Sequence, residues 1–169
     1  MKARDEQRPP AVRTPDPVSP LRKYFDEIAI GEDYTTPART ITEADVVNFA
    51  CLTGDFYYLH VDREAARKSI YGRRIAHGLL VLSVATGLMI SSRPGPVVAN
   101  YGSDKLRFVR PVFLGDTIRA HLECVHKRAR AKPLQDQPVG VVDWKIRVMN
   151  QKDELVATWI FKTLVLCSQ

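Results

Sequence analysis

The sequence predicts an α+β domain in which an antiparallel sheet wraps one long apolar helix. Three observations predict it. The stretch from His77 to Ile90 carries no charged residue and is apolar on nearly every side of a helical projection, so it belongs beneath other structure on most of its sides. Three later segments alternate with period two. Ile118, Ala120, Leu122 and Cys124 oppose Arg119, His121 and Glu123; Val142, Trp144, Ile146 and Val148 oppose Asp143, Lys145 and Arg147; Leu155 to Leu166 forms the third. The helical patterns come first and the strands follow in a run, an order that favours antiparallel strands beside helices over alternating parallel βα units.

Taken in order, residues 1–20 form a Pro-rich basic arm with Pro9, Pro10, Pro15, Pro17 and Pro20, too poor in apolar surface to fold alone. The folded domain covers 21–169. Phe25 to Arg39 reads as an entry loop and a strand, with Tyr34, Thr35 and Thr36 as β-formers. Thr42, with Asp45 three residues on, opens a helix as a variant of the capping box; Val46, Val47, Phe49, Ala50 and Leu52 give it an apolar face, and Gly54 stops it. A loop carries Asp55 and His60. A second short helix spans Arg63 to Lys68, and the long helix runs from His77 to Ile90. After Pro94-Gly95-Pro96 the pattern changes to about four long strands, with a loop at Ala131 to Pro138 and a turn at Asn150 to Asp153. A long sheet curled around one apolar helix is the hotdog architecture. A single copy leaves an edge strand unpaired, which predicts a homodimer or a higher homo-oligomer.

Bulk properties narrow the class. A chain of 169 residues suits one domain with a substantial core. Net charge is +6, and half of it lies in the first 23 residues, where six basic residues face three acidic ones. The remaining excess is too small to argue for nucleic acid and suits an anionic small ligand. Cys51, Cys124 and Cys167 are odd in number and widely spaced, with no metal-ligand pattern. Reduced thiols in a cytoplasmic protein are the simplest expectation, with no secretory signal at the N-terminus. The uncharged run Ile75 to Ser92 holds several polar residues and falls short of the ~20 apolar residues a membrane span needs, so a buried helix is expected and no membrane partner.

The segment Thr53 to Thr86 carries the chemistry. Asp55 stands five residues before His60, and His77-Gly78 opens the apolar helix. A carboxylate and an imidazole held together can move a proton to and from water. A helix start with bare N–H groups can hold a developing oxyanion. Those are the parts needed to add water to an enoyl thioester. From residue types alone, a turn-forming Asp55, a packed His60 and a close-packing Gly78 account for these positions as well. Asp62 completes an Asp55, His60, Asp62 trio, but no fourth ligand is near in sequence. Asp62 is expected to cap the Arg63 helix instead, with no metal. His77 is expected to pack or cap.

The run Ile41 to Leu88 resembles the MaoC-like (R)-specific enoyl-CoA hydratases. Their signature is an Asp, a five-residue step to His, and a later His-Gly opening the central helix: here Asp55, His60 and His77-Gly78. The runs Gly54 to His60, Gly95 to Gly102, Leu106 to Phe108, Gly115 to Ile118 and Thr163 to Val165 look most like the hydratase domain of the bifunctional ring-opening enzyme of phenylacetate degradation, over about Tyr24 to Val165. The resemblance implies Asp55 and His60 as the proton-handling pair, Gly78 as oxyanion donor, and an enoyl-CoA substrate, with oxepin-CoA a candidate. It implies no separate cofactor, since coenzyme A belongs to the substrate. Two departures stand out. Tyr57-Tyr58 replace the Asn-Pro of many members, and these 169 residues hold no aldehyde dehydrogenase domain, so only the hydratase half of the bifunctional activity is implied. Tyr57 and Tyr58 are expected to wall the acyl pocket or pack the loop. Arg73, Arg74, Lys105, Arg107 and Arg110 are candidates for the CoA phosphates, with Arg107 and Arg110 on opposite faces if the strand continues. The alternatives are a hotdog thioesterase using the same helix end, or a non-catalytic acyl-CoA-binding subunit.

Overall fold

A computed structural model of the protein describes residues 19–168. Residues 1–18 of the expected arm lie outside them. Ser19 and Pro20 do not belong to an arm: Ser19 caps a short 3-10 turn at Pro20–Arg22 and donates its hydroxyl to the Met89 carbonyl, while Pro20 and Leu21 are buried. The proline's fixed φ suits it to the first position of that turn.

The main sheet orders its strands β1 (Asp33–Thr35), β4 (Thr117–Ala129), β5 (Val139–Met149), β6 (Leu155–Leu166) and β3 (Val97–Phe108), every pair antiparallel; the two-residue β2 (Arg39–Thr40) also pairs with β4. The alternating residues named from the sequence do what period two requires. Ile118, Ala120, Leu122, Cys124, Val142, Trp144, Ile146 and Val148 are all fully buried on the concave face. Their neighbours build a charged outer face, where the His121 Nε2 meets Asp33 at 2.8 Å and Arg147 reaches the His121 Nδ1 at 3.2 Å. Buried Trp144 satisfies its indole N–H on the Thr163 hydroxyl at 2.9 Å. Gly140 admits the Phe25 ring, which lies 2.2 to 2.6 Å from where any Cβ would stand. This is the antiparallel sheet and packed helix of a hotdog.

Helix α1 (Glu43–Thr53) starts in the expected capping box. The Thr42 hydroxyl accepts from the Asp45 N–H, and the Asp45 carboxylate accepts from the Thr42 N–H at 2.8 Å. That backbone bond is the main reason the Asp45 carboxyl is held below the usual carboxylate range. Gly54 ends the helix with φ +77, a left-handed conformation only glycine adopts without strain. Val46 and Ala50 are buried and Phe49 packs on the core, whereas Val47 and Leu52 face solvent. The expected second helix is α3 (Arg63–Arg67), and one turn precedes it that the sequence did not announce, α2 (Tyr58–Val61). His60 therefore sits in a helical turn and not in a loop.

Helix α4 (Gly78–Met89) lies in the concave face, with Leu80, Val81, Val84, Ala85 and Met89 buried against the sheet. It is covered on most sides, as expected: within it only Leu79 (56% exposed), Ser83 and Gly87 form an open stripe, continued past its end by Ile90 (47%). Among the described residues no helix is long and apolar enough to cross a membrane.

Candidate active site

Asp55, His60 and Gly78 come from three local structures. Asp55 follows the α1 C-cap, and its carboxylate accepts the Tyr57 N–H at 3.2 Å in an Asx turn. His60 occupies the one-turn helix α2. Its Nδ1 lies 2.8 Å from the Ile75 carbonyl. A carbonyl only accepts, so Nδ1 carries the proton and Nε2 presents a lone pair. Gly78 is the first residue of α4, whose N-cap, His77, makes no side-chain cap bond. The first-turn N–H groups thus keep their capacity to donate.

These three residues line one cavity of about 320 Å³, together with Phe49, Thr53, His77, Leu79 and Phe108. A second cavity of about 260 Å³, lined mostly by apolar side chains, adjoins it, sharing His60, Gly78 and Phe108 and adding Tyr71, Ile75, Ala76, Val81 and the segment Val109 to Val112.

His77 is at the centre of the site and is only 2% exposed. Its Nε2 donates to the Asp55 carbonyl at 2.9 Å and lies 4.0 Å from the Asp55 carboxylate. Its ring stacks on His60 with centroids 3.8 Å apart and packs against Phe49 at 5.0 Å. It packs, as expected, but it also anchors the Asp55 backbone and supports the His60 ring, a role that no local signal in the sequence carries. Its Nδ1 is buried without a partner among the described residues.

The trio that converges is Asp55, His60 and His77, with ligand atoms within 4.8 Å of one another, and not the trio with Asp62. Asp62 caps α3, its carboxylate accepting the Ala65 N–H at 2.9 Å. The two imidazoles stack with their planes 27° apart. His60 Nδ1 and His77 Nε2 are also committed to carbonyls. A tetrahedral or octahedral metal needs converging lone pairs, and this geometry suits proton handling better.

Tyr57 and Tyr58 are half-exposed beside the pair, their rings 4.7 Å apart; Tyr57 also stands edge-on to His60 at 6.3 Å. The neighbouring Tyr57 pushes the Tyr58 phenol above its usual range. The five basic candidates do not converge. Arg74 is spent on Glu43 at 2.9 Å, tying the loop to α1. Arg73 lies over the Phe113 ring at 3.8 Å. Both line a separate cavity with Arg63 and Arg67, which the sequence reading missed. Lys105 sits in a β3 irregularity with φ +54, and Arg107 is exposed and donates to the adjacent Leu106 carbonyl. The strand ends at Phe108, so the two-face argument for Arg107 and Arg110 does not hold. Arg110 is in the following loop, donates to the Leu155 carbonyl and borders the apolar cavity.

A family model described as "MaoC like domain" matches residues 26–144. Protein MaoC of Klebsiella aerogenes is 48% identical over 122 residues, a match covering 72% of this chain but 36% of that protein. The chain thus corresponds to about a third of that longer relative. An (R)-specific enoyl-CoA hydratase of Rhodospirillum rubrum is 36% identical over 97 residues (57% of this chain, 66% of the relative). A 3-hydroxybutyryl-CoA dehydratase of Methylorubrum extorquens is 33% identical over 137 residues (78% and 86%). By name, the last two are hydro-lyases. Among solved structures, a monoamine oxidase regulatory protein from Archaeoglobus superposes with TM-score 0.75 at 41% identity, covering 87% of this chain and 96% of the other. A Mycobacterium tuberculosis protein described as having a double hotdog fold gives TM-score 0.77 at 25% identity, over 86% of this chain and 44% of that one. Fold, family model and relatives agree, and the chain belongs to the MaoC-like domain family, which includes (R)-specific enoyl-CoA hydratases and 3-hydroxyacyl-CoA dehydratases.

Proposed function

We propose that the protein is an (R)-specific enoyl-CoA hydratase, adding water across a trans-2-enoyl thioester and catalysing the reverse dehydration. The observation that carries this is the shared cavity of Asp55, His60 and the Gly78 end of α4. Two acceptors, the Asp55 carboxylate and the His60 Nε2, can hold one water between them. As its oxygen bonds to the β-carbon, the pair takes a proton and returns one to the α-carbon, so it is unchanged over the cycle. Enolate charge develops on the thioester oxygen, where the Gly78 N–H and the helix dipole favour it. No metal or separate cofactor enters this scheme.

The substrate is read as an acyl-CoA. Tyr57 and Tyr58, half-exposed beside His60, are read as the wall of the acyl path; of the basic residues first considered for the CoA phosphates, Arg74 is engaged by Glu43, and exposed Lys105 and Arg107 are the ones left to reach them. The acyl tail is read as entering the second cavity, between Ile75, Val81 and Val112. A ring-derived thioester of the oxepin-CoA type, and with it a place in phenylacetate degradation, is the finer reading supported by the likeness in the Gly54 to His60 and Gly95 to Gly102 runs. A homodimer is proposed as the working unit. The open α4 stripe and the free edge of β3 would be covered by a second copy, and a double-hotdog protein is matched over only 44% of its length. The cytoplasm is its proposed location.

The test is a panel of enoyl-CoA esters that includes crotonyl-CoA and oxepin-CoA, with chiral analysis of the product. Loss of enoyl absorbance with an (R)-3-hydroxyacyl product supports the reading. Release of free thiol would support a thioesterase, and binding with neither reaction a non-catalytic subunit.

A further inference from the structure

Phe108 stands where the two cavities meet. It is the last residue of β3, on the edge strand of the sheet, and lies on the same face as Leu106, which packs on the core. The β3 irregularity between Asp104 and Arg107, where Lys105 adopts φ +54, sets that face just before the strand ends. The ring lies directly on Gly78. A Cβ at position 78 would be 2.9, 3.0 and 3.1 Å from three of its carbons. It borders the cavity holding Asp55 and His60 and also the apolar cavity beyond; among the described residues only His60, Gly78 and Phe108 line both. Yet it is 48% exposed.

We infer that Phe108 is a specificity-determining residue, the wall that sets the width of the passage between the proton-handling pair and the acyl cavity. This rests on the hydratase reading above. A thioester whose oxygen lies at the Gly78 N–H must pass its acyl chain beside this ring to reach the apolar cavity. A straight chain needs only its own cross-section. A chain branched at the carbon after the double bond presents its extra methyl at the level of the ring. Among open-chain thioesters the class selected is therefore the 2-enoyl thioester unbranched at that carbon. Phe108 is a positioning and selecting wall and takes no part in proton transfer.

The experiment compares kcat/KM for trans-2-pentenoyl-CoA and for 4-methyl-2-pentenoyl-CoA, which differ by the one branch methyl, in the parent, Phe108→Leu and Phe108→Ala. The expected result is a parent that prefers 2-pentenoyl-CoA and a branched-to-straight ratio that rises in the order Phe, Leu, Ala. The overall rise should be about tenfold or more, the low end of what a single methyl-sized misfit is worth in an apolar pocket. Phe108→Leu keeps an apolar side chain on Gly78 and guards against loss of folding in the alanine variant. A purely structural role would lower both substrates together and leave the ratio unmoved, and that result overturns the inference while the hydratase reading stands. A parent that hydrates neither ester overturns the inference, and one that hydrates no ester of the wider panel, oxepin-CoA included, overturns the hydratase reading as well.

Discussion

Replacing His60 by Gln and Asp55 by Asn, singly and together, separates chemistry from packing. His60 contributes two structural contacts, the 2.8 Å bond from Nδ1 to the Ile75 carbonyl and the stack on His77. A net hydrogen bond is worth ~0.5–1.5 kcal/mol, and the Gln amide can replace it in part. One kcal/mol shifts Tm by roughly 2–4 °C in a domain of this size, so His60→Gln should melt only a few degrees lower. What Gln cannot replace is the Nε2 lone pair that accepts and returns the proton. A positioned acid or base contributes about 10²–10⁴ in rate, or about 2.7–5.4 kcal/mol of barrier at ~1.36 kcal/mol per decade. Asp55→Asn keeps an acceptor for the Tyr57 N–H and should leave Tm almost unchanged while lowering kcat over the same range. Because both residues would hold one water, the double variant should be little worse than the more damaging single one. The assay is loss of enoyl absorbance with crotonyl-CoA at saturating substrate, beside thermal melts of each variant. Near-normal turnover in Asp55→Asn would remove Asp55 from the mechanism. Losses that multiply in the double variant would show two groups acting independently and refute the shared-water geometry.

Gly78→Ala should slow turnover about 10²-fold or more, the scale of a lost oxyanion donor. The helix gain of up to ~1 kcal/mol is offset by the Phe108 ring it displaces, and adding Phe108→Ala should recover part of the rate. Full activity in a destabilised Gly78→Ala would make Gly78 a packing residue only. A chain beginning at Ser19 should keep the parent's Tm, whereas one beginning at Lys23 loses buried Pro20 and Leu21 and should melt several degrees lower, since burying a Leu is worth ~1.5–3 kcal/mol; equal melting would show that the N-terminal turn is not part of the core. Asp45→Asn should cost about 1 kcal/mol as a weakened helix start. The Asp45 carboxyl titrates lower folded than unfolded, so its contribution is full at neutral pH and is lost as pH falls through the folded value. The Tm gap between parent and variant should therefore close in acid, and a gap that persists there would disconnect the carboxylate from the cap.

Local signals determined the strands, the α1 capping box, the Gly54 stop and the start of the apolar helix, because each depends on residues within a few positions of one another. Period two places Ile118 to Cys124 and Val142 to Val148 on the buried face whatever else the chain does. Asp55, His60 and Gly78 could be picked out as candidates, since they lie within one short segment and match a known spacing, and folding sets all three in one cavity. Tertiary structure alone decided the rest. His77 became the support of the Asp55–His60 pair only when α4 docked in the sheet and brought its imidazole onto His60. Phe108, thirty residues beyond Gly78, met it only through the pairing of β3 with β6. The basic residues show the same limit from the other side: their charge is evident in the sequence, but their partners are not. Folding spends Arg74 on Glu43 and lays Arg73 on Phe113, contacts set by the packing of a loop against elements distant in the chain.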